Sequence, residues 1–335
     1  MRDVFRCSIC LAAAMMILLT APTMQAHAQE ARIENEYKLA VPGDLTDEVW
    51  AYLQQRYLNV QDLLSPLGGT FHASFADERH VDQYFDTPQL TLLHMHGGIR
   101  HRTRSIITGE DFAKDGRQLV QVKLNRPGEQ AANRTEIKFP VRRDTTIRKL
   151  QEAHPVVGLI REPYREEFRQ VTRQLGIDAG QLAPSLKLDQ RRRRVYITRD
   201  GESAATITLD VVRTGVWYRT ARFTELEIEL NEIAYTEAGH SEREAMQFIN
   251  DAIKQDILRV FPEIAQDQTP KYNKAFNAMS DHYLWYPMAH RLGMPLEVLE
   301  AAAGMGVLIA GYRFMFPPRR RFDAVSRPLA QAHAA

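Results

Sequence analysis

The chain has 335 residues, of which 44% are hydrophobic and 25% are charged, a composition typical of a folded globular protein. This length allows one large domain or two small ones. The formal net charge is only +1, which excludes a global attraction to nucleic acids or membrane surfaces, so any electrostatic function must be local.

The first 28 residues have the features of a secretory signal peptide. Arg2 and Arg6 give a positive start, a short apolar stretch follows, and Ala26-His27-Ala28 fits the cleavage pattern of small residues. The apolar stretch is shorter than the ~20 residues that span a bilayer, which disfavours an uncleaved anchor. The sequence therefore predicts an exported, periplasmic protein whose mature chain begins near Gln29.

Strands and helices follow one another through the next 250 or so residues, as judged from apolar spacing of two and of three to four residues. The predicted helices are Asp44–Asn59, Glu162–Gly176 and a long helix from Ser241 to about Val260. The predicted strands are Ile33–Lys38, a strand ending in Tyr84-Phe85-Asp86-Thr87-Pro88, Ile99–Arg104, Gln118–Asn125, Arg134–Val141, Leu186–Ile197, Ala204–Val212 and Arg222–Leu230.

Residues 277–335 are predicted to form a separate helical tail. Leu296–Phe316 is apolar and rich in small residues, and Pro317-Pro318-Arg319-Arg320-Arg321 follows it. This pattern fits a membrane helix with a positive cytoplasmic flank. It also fits a buried or interfacial helix, which is favoured because acidic and basic residues within the segment leave only a short uncharged stretch.

Charged side chains recur on one face of almost every predicted strand. Glu34, Glu36 and Lys38 share a face because side chains alternate along a strand with period two. A single strand of this kind is equally consistent with a solvated surface. The alternation recurs, however, in further strands, with these residues on the charged faces: Arg100, Arg102, Arg104, Gln121, Lys123, Arg134, Glu136, Lys138, Lys187, Asp189, Arg191, Arg193, Thr206, Thr208, Asp210, Glu225, Glu227 and Glu229.

The aliphatic faces of the same strands need cover, which the amphipathic helices can supply. The arrangement that fits is an α+β fold in which an antiparallel β-barrel has a charged lumen and the helices pack outside. A sheet with one solvated face is the alternative.

A lumen that contains both signs of charge suits a metal ion together with a polyanion. Glu225, Glu227 and Glu229 repel one another unless a cation neutralises them, and carboxylates suit Mg²⁺ or Mn²⁺. A nucleic acid is not expected, because the acidic residues would repel it and no aromatic platform accompanies the basic ones. Donors to phosphate oxygens are available on Lys38, Arg100, Arg102, Lys123, Arg134, Arg191 and Arg193.

In their order along the chain, these residues resemble the motifs of the triphosphate tunnel metalloenzymes, which include the CYTH domain and the VTC polyphosphate-polymerase domain. The similarity covers about Ile33–Phe276 and indicates a tunnel domain at residues 29–276. Lys138 departs from the pattern, in which an acidic residue is expected. The matching segments are Glu34-Asn35-Glu36-Tyr37-Lys38 (ExExK), Tyr84–Pro88 with Leu92-Leu93 and Ile99–Arg102 (YFDTP…LL…LRxR), Lys123, Arg134 with Glu136, Arg191 with Arg193, Glu225-Leu226-Glu227 and Pro270-Lys271-Tyr272.

This resemblance implies an eight-stranded antiparallel tunnel that binds a triphosphate with a divalent metal. It implies a catalytic role for Glu34, Glu36 and Lys38, with metal-activated water attacking a terminal phosphorus. The implied metal ligands are Glu34, Glu36, Glu225 and Glu227, and the implied phosphate-binding residues are Lys38, Arg100, Arg102, Lys123, Arg134, Arg191, Arg193 and Lys271.

Together these observations favour an exported metal-dependent phosphohydrolase that uses Mg²⁺ or Mn²⁺ on inorganic triphosphate, polyphosphate or another triphosphate. A non-catalytic polyphosphate-binding module is one alternative. A VTC-like polyphosphate polymerase or a nucleotidyl cyclase on the same scaffold is another. The metal carboxylates favour an enzyme over a binder, and export counts against a reaction that consumes ATP.

Overall fold

The computed structural model describes residues 32–109, 116–124, 133–142, 155–216 and 219–282, and scattered residues between 288 and 308. The predicted signal peptide and most of the apolar segment Leu296–Phe316 lie outside the described residues. The chain divides into two units, Met1–Leu284 and Trp285–Ala335. Among the helices that are described, none combines the length and the apolar character needed to cross a membrane.

The described strands form one antiparallel sheet that closes on itself. The hydrogen-bonded order is β5-β4-β3-β2-β6-β7-β8-β1, and β1 pairs again with β5, so eight strands form a ring to which the short β9 adds at the edge of β1. The predicted eight-stranded antiparallel architecture is confirmed. The strands are β1 (Arg32–Val41), β2 (Phe71–Asp86), β3 (Gly98–Thr108), β4 (Gln118–Leu124), β5 (Asn133–Pro140), β6 (Ala183–Arg199), β7 (Glu202–Val216), β8 (Arg219–Leu230) and β9 (Ala265–Gln266).

Strand β1 closes the ring because it uses both of its edges. Its first half pairs with β5, where Glu34 lies opposite Arg134. Its second half pairs with β8, where Lys38 lies opposite Glu227. Side chains directly opposite each other in a ladder share a face of the sheet. The closing strand therefore brings these four charged residues to the same, inner surface.

The helices of the first unit connect and cover these strands. They are α1 (Thr46–Tyr57), α2 (Val60–Leu64), α3 (Thr91–His94), α4 (Pro155–Leu159), α5 (Arg165–Gln174), α6 (Glu232–Glu237), α7 (His240–Val260) and α8 (Lys271–His282).

Two apolar clusters cover the outer face of the ring. One packs β1, β6, β7 and β8 against α1 and α7, with Leu39 and Ile253 fully buried. The other packs β3, β4 and β5 against α4 and α5, where the rings of Phe139 and Phe168 meet edge to face at 5.3 Å. Burying such a side chain contributes about 1.5–3 kcal/mol relative to exposure, so a one-residue slip in register would be costly. The aliphatic residues thereby fix the charged ones inside.

Helix α8 is attached to the ring by Tyr272. Its ring stacks on that of Tyr84, with centroids 4.7 Å apart and an interplanar angle of 5°. Its hydroxyl donates to Asp86 Oδ2 at 3.0 Å, and the backbone N–H groups of Leu92 and Leu93 donate to the same carboxylate at 2.9 and 3.0 Å. The Tyr84–Asp86 segment thus positions the first turn of α8 at the tunnel.

Candidate functional site

The ring encloses a cavity of about 520 Å³. All eight long strands contribute to its wall, together with α6 and α8. Among the described residues, twelve lysines and arginines and six glutamates line it, so the exposed surface of the cavity has an excess of positive charge. The charged lining residues are Arg32, Lys38, Arg100, Arg102, Arg104, Arg117, Lys123, Arg134, Lys138, Arg192, Arg194, Lys271, Glu34, Glu36, Glu136, Glu227, Glu229 and Glu232.

The arginines of β3 are oriented by one buried carboxylate on β2. Asp82 accepts two hydrogen bonds from Arg102, both at 2.7 Å, and one from Arg100 at 3.1 Å. Gln190 donates to the same group at 2.6 Å. Burial would raise the pKa of Asp82, but Arg102 and Arg100 hold it below its usual value. Asp82 therefore stays ionised and holds both guanidinium groups at the tunnel wall.

A second buried carboxylate, Glu78, organises the next part of the wall. Arg104 donates to it, Tyr196 donates at 2.9 Å, and Arg194 Nε lies 3.4 Å from Glu78 Oε2. His80 Nε2 is 3.0 Å from the same carboxylate. Burial, together with the surrounding arginines, lowers the pKa of His80 well below its usual value, so this imidazole is neutral. The carboxylate thus serves to place cations and not to bind a ligand.

At another part of the wall, Glu227 is surrounded by cations. Lys38 Nζ, Arg192 Nη2 and Lys271 Nζ lie 2.9, 2.9 and 3.2 Å from its oxygens. Asp210, beside it, accepts from Lys271 at 2.5 Å and from Arg192 Nε at 2.7 Å. Burial would raise the pKa of Glu227, but the neighbouring cations hold it well below its usual value. This is a saturated ion-pair network.

Glu225 lies on the same inner face but beneath this network. It is fully buried, it contacts Lys271 at 3.3 Å, and it accepts a hydrogen bond from Lys274. Burial and the neighbouring Glu227 carboxylate raise its pKa, although Lys271 and Lys38 oppose this shift. Two lysines of α8 therefore occupy the surroundings of a carboxylate that was predicted to bind metal.

Among the described residues, one set of three carboxylates offers oxygens that lie close together, and it consists of Glu34, Glu136 and Glu232. Each offers an oxygen within 4.8 Å of the other two. Lys123 Nζ lies 2.6 and 2.7 Å from the two oxygens of Glu34. Lys138 Nζ lies 2.6 Å from Glu136 and also bonds Glu232. We call these three glutamates the carboxylate group. A hard divalent cation prefers such oxygen ligands.

Glu229 lies beside the carboxylate group on β8. Burial, with the nearby charges of Glu34 and Glu36, raises the pKa of Glu229 to about 8. A carboxyl with this pKa keeps its proton at neutral pH, because burial and the repulsion of the nearby carboxylates both disfavour its charged form. An added cation here would relieve that repulsion.

Most of the predicted site residues reach the cavity. Glu34, Glu36, Lys38, Arg100, Arg102, Lys123, Arg134, Glu227 and Lys271 line it, and Glu225 is buried behind it. The four predicted metal ligands do not come together as one group: Glu34 lies with Glu136 and Glu232, while Glu36, Glu225 and Glu227 pair with lysines elsewhere in the ring.

The placement of Arg191 and Arg193 in the lumen is wrong. Arg191 is exposed and pairs with Asp77 at 2.6 Å, while Arg193 lies over the Trp50 ring at 5.4 Å on the outer face. The inner residues of β6 are Arg192 and Arg194.

The error has an identifiable cause in the aliphatic residues of β6. The alternation around Leu186 and Leu188 predicts that these two leucines face outward. In the structure, Leu188 lies opposite Asp82 in the β2–β6 ladder and so faces inward. The outer apolar residues of this strand are Val195 and Ile197. The sequence signal that could have corrected the parity is this second aliphatic pair, which has the opposite alternation.

Several functional residues were not predicted as such. Asp82 and Glu78 are fully buried, and only their partners in the ring reveal their role. Glu232 lies just after β8, in the first turn of α6, where strand alternation gives no signal.

The fold and the lining of its interior define a class of protein: a closed tunnel with cationic side chains and a carboxylate group on its wall. A family profile described as the CYTH domain matches residues 52–257, more than half of the chain. The protein belongs to the CYTH domain family.

The solved structures that this chain resembles are distant from it in sequence. A candidate adenylate cyclase from Bacillus halodurans is 18% identical, with 71% of this chain and 94% of that chain covered and a TM-score of 0.38. The candidate adenylyl cyclase HpAC1 from Hippeastrum, described as having a dominant triphosphatase activity, is 16% identical, covers 79% and 99%, and has a TM-score of 0.37. The RNA triphosphatase Pct1 from S. pombe is 14% identical, covers 74% and 87%, and has a TM-score of 0.29. The search of curated proteins gave no match.

Proposed function

We propose that the protein is a metal-dependent hydrolase of inorganic triphosphate or polyphosphate. The observation that carries this proposal is the composition of the tunnel wall, where a surplus of lysines and arginines faces a group of three carboxylates across one cavity. A linear chain of phosphates is anionic along its whole length, so it matches the cations that β1, β3, β4, β5, β6 and α8 place around one cavity.

The residues present fit a divalent metal at the carboxylate group. Three carboxylates converge there, and Glu232 Oε2 is buried without a hydrogen-bond partner among the described residues. The charges of Glu34 and Glu36 contribute, after burial, to the raised pKa of Glu229, and a bound cation would offset them. Glu34, Glu136 and Glu232 would hold the ion, in agreement with the prediction for Glu34 and in place of Glu36, Glu225 and Glu227. The ion would supply charge neutralisation and a more acidic bound water.

The remaining residues of the tunnel bind and orient the phosphates. Arg100 and Arg102 are held from behind by Asp82, so their guanidinium groups are preorganised and lose little freedom on binding. The buried Nε donors of Arg104 and Arg134 have no hydrogen-bond acceptor among the described residues. Preorganised cations around a terminal phosphate stabilise the charge that develops when its anhydride bond breaks. Lys38 completes this set from β1.

One observation favours the alternative of a non-catalytic binding module. Each member of the carboxylate group already has a cationic partner in the protein, from Lys123 or Lys138. Such internal pairing would let the tunnel hold a polyanion without any metal. Catalysis requires that a metal enter this group, and binding alone does not.

The decisive experiment is a phosphate-release assay with the purified chain, using tripolyphosphate, ATP and long-chain polyphosphate in turn with Mg²⁺ and with Mn²⁺. We expect release from tripolyphosphate or polyphosphate that a chelator abolishes. If all three bind and none is cleaved, the binding module replaces the hydrolase. Elongation of polyphosphate from ATP, or cyclic nucleotide with pyrophosphate, would indicate the polymerase or the cyclase.

We also propose that the protein is exported and that cleavage occurs after Ala28. The support is the sequence pattern of residues 1–28. Mass spectrometry of the N-terminus from the native host should find a chain that starts near Gln29, and an intact Met1 would contradict this. The same preparation tests the tail: extraction from membranes at alkaline pH is expected, and resistance to it would indicate an integral anchor.

A further inference from the structure

Lysine and arginine side chains of the protein lie among the three glutamates of the carboxylate group. Lys138 Nζ lies 2.6 Å from Glu136 Oε2 and also contacts Glu232 Oε1. Arg32 Nη1 lies 2.8 Å from the same oxygen of Glu232. Lys138 therefore bridges two of the three carboxylates, and Arg32 contacts one of the same two.

The position of Lys138 follows from the geometry of β5. Lys138 and Glu136 are two residues apart, so both side chains point to the inner face. Lys138 is opposite Gln121 of β4, and its side chain is 19% exposed. A lysine amine is protonated at neutral pH, and the contacting carboxylates of Glu136 and Glu232 favour that charged form. The amine is thus a permanent ammonium ion among the carboxylates.

We propose that Lys138 is a tethered cation that competes with a divalent metal ion for the carboxylate group. The inference rests on the proposed function, since it concerns the metal site of the same tunnel. An oxygen engaged by the ammonium is not free for a metal, and the like charge a few ångströms away opposes binding. Glu232 Oε2, buried without a partner, is the oxygen that the ammonium leaves unused.

A consequence is that the carboxylate group remains neutralised when no metal is bound. The tunnel can then accept a polyanion first, without repulsion from its own glutamates. Lys138 thus determines the affinity of the substrate-free protein for a divalent metal ion.

The test measures the binding of Mn²⁺ to the full-length chain, with the concentration of free Mn²⁺ monitored by electron paramagnetic resonance. Lys138→Gln and Lys138→Met should each bind Mn²⁺ at least tenfold more tightly than the wild type, which corresponds to about 1.4 kcal/mol. Lys138→Arg keeps the charge and should retain the wild-type affinity. Lys187→Met, at an exposed position of β6, is the matched control and should not differ.

Equal Mn²⁺ affinity in the wild type and in the Gln and Met variants would overturn the inference. If those variants fold poorly, Lys138→Glu offers a second measurement, because Mn²⁺ should raise its thermal unfolding midpoint more than that of the wild type, and an equal rise would also overturn it. The readout is binding and not turnover. Tighter Mn²⁺ binding in a protein that cleaves no substrate would uphold this inference while refuting the hydrolase.

Discussion

Asp82 and Arg102 form a two-point ion pair inside the tunnel wall, with both N···O distances at 2.7 Å and the carboxylate completely buried. Asp82 lies on β2 and Arg102 lies opposite it on β3. Because the Asp82 carboxylate is fully buried, it does not contact bulk water, and its role is to hold the Arg102 guanidinium in place. Buried acids that a ligand does not contact hold the cationic side chains of the tunnel wall in fixed positions.

The first prediction concerns this pair. Asp82→Asn leaves two arginines without their buried counter-charge and should lower the free energy of unfolding by about 3–5 kcal/mol. Asp189→Asn is the control, because Asp189 pairs with Arg79 at 2.5 Å on the exposed surface, where such pairs contribute about 0–1 kcal/mol. Urea unfolding of both variants measures the contrast. Similar losses would mean that Asp82 is not the structural anchor described above.

The second prediction separates the two faces of β6. Arg194→Met removes a cation that lines the cavity, and should weaken tripolyphosphate binding by about 1.5–3 kcal/mol, the range for hydrogen bonds to charged groups. Arg191→Met removes an exposed arginine that pairs with Asp77 outside the ring, so its affinity should remain within twofold of the wild type. Isothermal titration calorimetry measures the tripolyphosphate affinity of both variants. An equal effect of both changes would refute the assignment of Arg194 to the inner face and Arg191 to the outer face of β6.

The third prediction distinguishes metal ligands from phosphate ligands. Glu34→Gln weakens the carboxylate group and should lower turnover about 100-fold or more, because the lost charge stabilisation acts in the transition state. Tripolyphosphate affinity should be unchanged or higher, since Lys123 loses its partner and becomes available to the anion. Steady-state kinetics and calorimetry on the same samples provide both values, with the exposed Glu202→Gln as control. A parallel loss of turnover and affinity would argue against a metal role for Glu34.

The fourth prediction is a pH dependence of stability in the presence of a chelator. Glu229 loses its proton near pH 4.5 in the unfolded chain and near pH 8 in the folded one, because of burial and the charges of Glu34 and Glu36. The folded state therefore binds more protons across this window, and its stability should fall as the pH rises from about 4.5 to about 8.

Glu229→Gln removes this component of the pH dependence. Each unit of pKa difference corresponds to about 1.4 kcal/mol. Because Glu229 retains some contact with solvent at the cavity, we expect a gain on the order of 2 kcal/mol at pH 8.5 and little gain at pH 5. Urea titrations at the two pH values check this, and a variant with the wild-type slope would contradict the assignment.

The alternation of charged and aliphatic residues was enough to predict the architecture. Period two in β1, β3, β4, β5, β7 and β8 specifies which side chains share a face, and burial of the aliphatic face under helices then leaves the charges inside. Charges of both signs on so many strands favoured a closed ring over a sheet with one solvated face. Glu34, Glu36, Lys38, Arg100, Arg102, Lys123 and Arg134 were located in this way, and they line the cavity.

Both faces of β6 contain apolar residues, so only the tertiary structure decided which of its faces turns inward. It also decided the partners of each charge, because those partners come from distant parts of the chain: Lys123 meets Glu34 and Lys38 meets Glu227. Alternation along a strand is a local property, whereas the neutralisation of a buried charge depends on whichever strand the ring brings opposite. For that reason the sequence predicted a charged tunnel, and only the fold revealed which carboxylates orient cations and which three come together around Lys138.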